Sequence, residues 1–413
     1  MRSKTAAIPF ILITVLIDIL GIGLIIPILP ELITQLSGGE ASQGSSIYGF
    51  FIASYAAMQF LFAPILGGLS DRFGRRPVLL ISLLGAGLDY LLMALAPTLW
   101  LLFLGRIIAG ITGANITVAN AYIADVTAPK DRAKNFGLIG AVFGIGFIIG
   151  PAMGGFLGSI DLRLPFFAAA ALALVNWLYG WFVLPESLKP EHRKPFTARS
   201  MSPVGTFRAV AKYPVVLGLA LALVCVYLSQ NVLQSTWVLF TSVQFGWGPL
   251  QNGFSLALLG VLTAIVQGGL IRVLLPRLGE RRAITVGLGI SAVTMLAYGL
   301  VTQEWMLYAA MTVGSLGGIA GPALQGFISG QVSASEQGTV QGALASLASL
   351  TGVVGPVFGT QVFAFFTAPA SPVFMPGAAF LAGGLLSVLG VVLVLRTFRR
   401  TPQPPVQLVP VAP

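Results

Sequence analysis

Ionisable side chains are scarce in this sequence, and three of them fall inside stretches long and apolar enough to cross a bilayer. Asp18 sits about halfway along the first, in Leu16-Ile17-Asp18-Ile19-Leu20-Gly21. Asp89 sits about halfway along the third, in Gly87-Leu88-Asp89-Tyr90, and Arg106 lies near one end of the fourth. A charge at mid-bilayer costs ~2.5–3.5 kcal/mol on insertion scales, so each of the three is a candidate functional group. Burial favours the protonated carboxyl and a neighbouring arginine favours the charged one, so a carboxylate whose arginine moves can take up and release a proton. Asp18 has no basic residue in its own stretch and reads as a proton or cation site. Asp89 and Arg106 lie on stretches joined by a short turn, and two readings stay open for them: a structural ion pair, or a proton-handling unit in which Arg106 controls the carboxylate.

The second half of the chain offers no Asp, Glu, Lys or Arg at mid-span between Tyr213 and Arg396. It carries Gln230, Asn231, Gln234, Gln267, Gln325 and Gln341 instead. Singly, such amides serve as interhelical glue as readily as ligand contacts. Together they predict a first half that handles charge and a second half that shapes a mostly neutral cavity.

The elements that position these groups follow from hydropathy. The 413 residues are 56% hydrophobic and only 9% charged, against ~25% charged in soluble domains, so the chain cannot cover a water-facing surface. Apolar runs fall near residues 7–30, 47–69, 78–97, 99–124, 135–158 and 165–184, then 213–240, 250–275, 283–302, 305–330, 338–366 and 374–396. Each is about the ~20 residues that a spanning helix needs. Backbone polar groups in lipid must be satisfied within the segment, which makes the runs helices. The pattern predicts an all-α membrane protein with a six-helix bundle over 1–184, a polar linker over 185–212, a second bundle over 213–398 and a disordered tail over 399–413. The two bundles read as copies: 205 residues separate Gly74 from Gly279, and the same offset carries Gly150-Pro151 onto Gly355-Pro356, Gly113 onto Gly318, Gly137 onto Gly342 and Asp131 onto Glu336.

Lys and Arg total 23, and nearly all fall on one face: Arg2, Lys4, the Arg72–Arg76 turn, Lys130–Lys134, the linker, Arg272–Arg282 and Arg396–Arg400. The opposite face holds only Arg163. The positive-inside rule then places both termini in the cytoplasm. Topology thereby accounts for the net charge of +10, and no nucleic-acid partner is implied. The first run, about Ala7 to Leu29, is long and lacks a small-residue cleavage site, so no cleavable signal peptide is expected. A single cysteine, Cys225, and a single histidine, His192, exclude a disulfide and a His- or Cys-based metal centre. No nucleophile–base pair suggests an enzyme.

Two short motifs carry more than composition does. Gly67-Gly68-Leu69-Ser70-Asp71-Arg72-Phe73-Gly74-Arg75-Arg76-Pro77 is a charged turn wedged between two apolar runs. Gly144 to Gly155 places glycines four residues apart beside Pro151, which allows close helix contact and a bend. The turn matches the loop signature G-x-L-[AS]-D-R-x-G-R-R-P of the major facilitator superfamily. Leu102–Gly110 resembles that family's fourth-helix motif, whose arginine is linked to proton coupling. Gly146, Gly150, Pro151, Gly154 and Gly155 match the G-x-x-x-G-P-x-x-G-G motif of its drug/proton antiporters. Over residues 8–398 the chain is most similar to the twelve-helix tetracycline/proton antiporters, through Asp18–Pro30, Tyr55–Gln59, Gly85–Leu92, Arg106–Ala114, Thr236–Phe240 and Pro322–Gly326.

That resemblance implies the major facilitator fold, with two pseudo-symmetric six-helix bundles enclosing a central cavity, and a monomer in a bacterial cytoplasmic (inner) membrane. It implies proton-driven export of an amphiphilic drug, tetracycline first, free or as a divalent-cation chelate carrying Mg2+. The alternative is a broad multidrug or metabolite/proton antiporter. The proton gradient supplies the energy and no cofactor is expected. Proton or cation coupling is expected at Asp18, Asp89 and Arg106. The cavity lining is expected from Asp18, Gln59, Asp89, Asn115, Gln230, Gln234, Gln267, Ser291 and Gln325. Asp71, Arg72, Arg75 and Asp125 are expected to form a cytoplasmic gate, with an Arg75–Asp125 pair latching one conformation shut. Two positions depart from the best-known tetracycline pumps: Ser291 stands where they carry an acid, and Thr263 where they carry a histidine.

Overall fold

A computed structural model describes residues 4–113, 115–127, 131–193, 213–332 and 337–400. Linker residues 194–212 and tail residues 401–413 lie outside the described residues. Twelve helices among the described residues are long and apolar enough to span a membrane. We label them α1 (Ile8–Ile25), α2 (Ala41–Phe73), α3 (Arg75–Leu95), α4 (Leu99–Val126), α5 (Asn135–Ile160), α6 (Leu164–Val183), α7 (Pro214–Phe245), α8 (Pro249–Leu278), α9 (Glu280–Leu300), α10 (Glu304–Gly330), α11 (Val340–Thr367) and α12 (Ala378–Arg400). A short helix, Leu29–Leu36, fills the connection from α1 to α2.

The internal repeat is visible in the helix boundaries. At the same 205-residue offset, α3 begins at Arg75 and α9 at Glu280, and they end at Leu95 and Leu300. The helix in α4 is broken after Thr112 and resumes at Asn115. Its counterpart α10 passes through a 3-10 turn at Leu316–Ile319 and resumes at Ala320. The turns before α3 and α9 both use glycine with positive φ, 109° at Gly74 and 74° at Gly279, a conformation that side-chain-bearing residues avoid. One difference breaks the symmetry: α8 contains a π-helical segment at Val266–Leu270.

In the first bundle α1 packs on α5 and α6, α2 on α4, and α3 on α4 and α6; in the second, α7 packs on α11 and α12, and α9 on α10 and α12. The bundles meet through α2 against α11 and α5 against α8. The face that carries the arginine turns at Gly74 and Gly279 is called here the basic face. Among the described residues, the buried apolar ones form three clusters. One, holding Leu24, Phe51 and Phe166 together with Trp237, Phe240 and Phe380, draws on both bundles at the face opposite the basic one. The other two lie toward the basic face, one confined to the first bundle around Leu79 and Tyr122, the other to the second around Ile284 and Val394.

The bundles are therefore fused at the far face and separate at the basic face. Contacts along the seam agree. At the far ends of α5 and α8, a Cβ added at Gly155 would come within 2.8 Å of the Gly253 Cα, and one at Gly158 within 3.2 Å of Pro249. The approach continues to Gly260 beside Ile148. Nearer the basic face, Gly137, Gly140 and Gly144 on α5 and Gly268 and Gly269 on α8 have nothing within 4 Å of an added Cβ.

Candidate functional site

Between the bundles lies a cavity of about 320 Å³, inside the range of ~300–1,000 Å³ usual for small-molecule pockets. Its first-bundle wall is charged and aromatic, with Asp18 from α1, Tyr48, Tyr55 and Gln59 from α2, Asp89 and Tyr90 from α3, and Arg106 from α4. The opposing wall is neutral, with Asn231, Gln234 and Ser235 from α7 and Pro356 from α11.

Asp89 is 1% exposed, and its Oδ2 is 2.5 Å from Nη2 of Arg106. The same guanidinium nitrogen lies 2.7 Å from the Met93 sulfur, and the guanidinium stands 5.5 Å from the centre of the Tyr55 ring. The residue before the arginine makes the pair possible: a Cβ on Gly105 would lie 2.6 Å from Oδ1 of Asp89. Among the described residues, Oδ1 of Asp89 and Nε of Arg106 are buried without a hydrogen-bond partner. A buried pair with unmatched valences is held less firmly than a fully satisfied one and is open to exchange. Asp18 is half-buried in the same wall, within electrostatic reach of Tyr55 and Tyr90. Gln59 donates from Nε2 to the Gly113 carbonyl at 3.0 Å, satisfying backbone at the break in α4.

Of the residues expected to line the cavity, Asp18, Gln59, Asp89 and Gln234 do so. Gln230, Gln267, Ser291 and Gln325 are absent from its lining. Ser291 packs against Gly317 in the 3-10 turn of α10, and Gln267, within the π segment, lies beside Gly318. Gln325 is exposed, and the side chain of Asn115 lies outside the described residues. The reason is geometric: helices apolar on every side carry no sequence signal for the cavity face, so a mid-span amide is as free to point between neighbours. Three tyrosines and Ser235 were missed; a hydroxyl in an apolar run was the available signal.

The charged turn sits at the basic face. Arg75 contacts Asp71 at 2.6 Å through Nη2 and Asp125 at 3.1 Å through Nε, and Nη1 donates to Ser70. Arg72 stays outside this cluster, exposed and over the Phe73 ring. Sequence reasoning also missed Glu186, directly after α6. Its carboxylate accepts from the backbone N–H groups of Arg75 at 2.8 Å and Arg76 at 3.3 Å, capping α3. Ser187 donates to Asp125. The expected Arg75–Asp125 pair is present, and every partner of Arg75 among the described residues belongs to the first bundle or the chain just after it. The Arg75–Asp125 pair is formed here while the two bundles stand apart at this face, so it braces α3 against α4 rather than shutting the cavity.

The glycine–proline motif serves two contacts. Gly146 meets Ile19, and Gly150 and Pro151 meet Gly23, and Gly154 meets Leu24, all in the seat of α5 on α1. Gly155 and the Pro151 carbonyl also face α8, both at Gly253.

The Major Facilitator Superfamily model matches residues 11–356 and 270–413. The tetracycline resistance protein of class C from Escherichia coli is 44% identical over 94% of this chain and 95% of its own length. The class D protein from Salmonella ordonez is 43% identical over 85% of this chain and 88% of its own. In fold, a bacterial homolog of the human lysosomal transporter Spinster, solved in an inward-facing and occupied conformation, superposes with a TM-score of 0.78 at 18% identity, over 97% of this chain and 98% of that one. Duplicated six-helix bundles, a charged turn at Gly74, a cavity on the bundle seam and these similarities agree: the chain belongs to the Major Facilitator Superfamily.

Proposed function

We propose that this protein is a proton-coupled antiporter that exports tetracycline, as the drug or its divalent-cation chelate, from the cytoplasm of a bacterium across its inner membrane. The relatives named for tetracycline resistance support the substrate. The observation that carries the coupling is the buried Asp89–Arg106 pair in the wall of the cavity. The excess of arginine on the basic face supports a cytoplasmic assignment for that face, and with it a cavity that opens inward. Drug enters from the cytoplasm, the bundles rock, and the cavity opens outward. Protonation of Asp89 from the outer side cancels its charge, frees Arg106 from it and resets the carrier for return. One chain's two bundles enclose the cavity, which suits a monomer.

Inside-out membrane vesicles containing the protein, energised with acid inside, test this reading. Accumulation of tetracycline that collapses with a protonophore is expected. Vesicles that take up ethidium but not tetracycline would favour the broader multidrug reading, for which the uncharged second wall speaks. No uptake of either would overturn antiport.

A further inference from the structure

A bound molecule shifts a conformational equilibrium only to the extent that its affinity differs between the two states. Cargo held by one bundle alone would ride with that bundle and bias nothing, so the neutral wall must contribute a contact of its own. That wall has few groups to offer. Asn231 donates from Nδ2 to the Tyr227 carbonyl at 2.8 Å and reaches Thr351 at 3.5 Å, and its Cβ faces Gly355 of α11. Ser235 is 3% exposed and donates to the Val232 carbonyl at 3.2 Å. Pro356 brings no donor. Gln234, one turn along α7 from Asn231, is exposed to the cavity, and its amide has no hydrogen-bond partner among the described residues.

We propose, building on the antiport reading above, that Gln234 is the residue through which the second bundle recognises the cargo, pairing its amide with a substrate edge where a hydroxyl stands beside a carbonyl. A primary amide both donates and accepts and carries no charge. Its complement is therefore a neutral edge with a donor next to an acceptor, whereas an ionised group is better met by the charged wall opposite, at Asp18. A site built to hydrogen-bond its substrate discriminates strongly against a ligand that leaves the amide unmatched. Cargo with one ionisable end and one hydroxyl–carbonyl edge spans the cavity and touches both bundles.

Full-length protein in proteoliposomes decides the matter, with tetracycline/proton exchange measured for the parent, Gln234→Leu and Gln234→Asn. The leucine variant is expected to raise KM for tetracycline about tenfold or more and to lower the maximal rate as well, since the lost contact both holds the cargo and biases the bundles. The asparagine variant, which keeps the amide on a shorter stem, recovers part of the loss. An unchanged KM in Gln234→Leu, or equal loss in both variants, overturns the assignment. A parent that exchanges no tetracycline for protons overturns the antiport reading itself, which separates the two failures.

Discussion

The ion pair of Asp89 and Arg106 shows how single residues in this chain carry opposed demands. Both groups are desolvated, and removing one partner leaves the other uncompensated. Truncation of one member of a buried pair costs roughly 3–5 kcal/mol, so Arg106→Ala should lower the thermal midpoint sharply, while Asp89→Asn combined with Arg106→Gln should restore much of it. Neither variant is expected to exchange tetracycline for protons. A double variant that folds and transports would reduce the pair to scaffolding. At the basic face the charges act structurally, and Glu186→Gln, which weakens the cap of α3, should cost about 0.5–2 kcal/mol in unfolding free energy with tetracycline KM unchanged. Asp18, Asp89 and Arg106 were legible because an ionisable group in an apolar run is an anomaly. Glu186 was not, since a carboxylate in a polar linker is ordinary and only the docking of that linker onto Gly74 gives it a partner.

Helices, by contrast, announced themselves through hydropathy and the 205-residue repeat, and the starts of α3 and α9 fall in register. What hydropathy hid is the polar beginning of α2. The apolar run suggested a start near residue 47, yet the helix begins at Ala41. The first two and a half turns carry the closure on the far face: Nε2 of Gln361 on α11 donates to the Ser46 hydroxyl at 2.7 Å, and a Cβ on Gly49 would overlap the Thr360 hydroxyl. Ser42 and Ser45 satisfy their hydroxyls locally, on Glu40 and the Ser42 carbonyl, and Ser46 is paired across the seam. The short helix Leu29–Leu36 lies mostly in the polar gap between the first two apolar runs and reads there as loop, whereas the π segment of α8 leaves no break in its apolar run. Loss of a neutral hydrogen bond is worth about 0.5–1.5 kcal/mol, so Gln361→Ala should shift the population toward the outward-open state by up to about tenfold. Gly49→Val should act more strongly, by wedging α2 from α11. Spin-label distances across the far face measure both, and a wedge that leaves those distances unchanged would remove Gly49 from the closing contact.

Across the whole molecule, one apolar cluster joins the bundles at the far face while two separate clusters serve them at the basic face. A closely packed interior does not deform continuously, so the two bundles have to move as bodies, with the far-face seam parting as the basic-face ends meet. Rocking makes a demand that a gated channel does not: the far ends of α2 and α11 must separate once in every cycle. A short bifunctional thiol cross-linker between Ser46→Cys and Gln361→Cys, placed in a Cys225→Ser background, tests that demand directly. Cys225 is the only native thiol and is buried, so its replacement leaves the introduced pair as the reactive one. The cavity lies on the basic side of this tie and stays open, so cross-linked protein should bind tetracycline within about threefold of the parent affinity, less than ~1 kcal/mol. Exchange should fall to background, and a linker cleaved by reductant should return it. Cross-linked protein that still exchanges drug for protons would show that the far face need not part, and a movement confined to one bundle would have to replace the rocking of two.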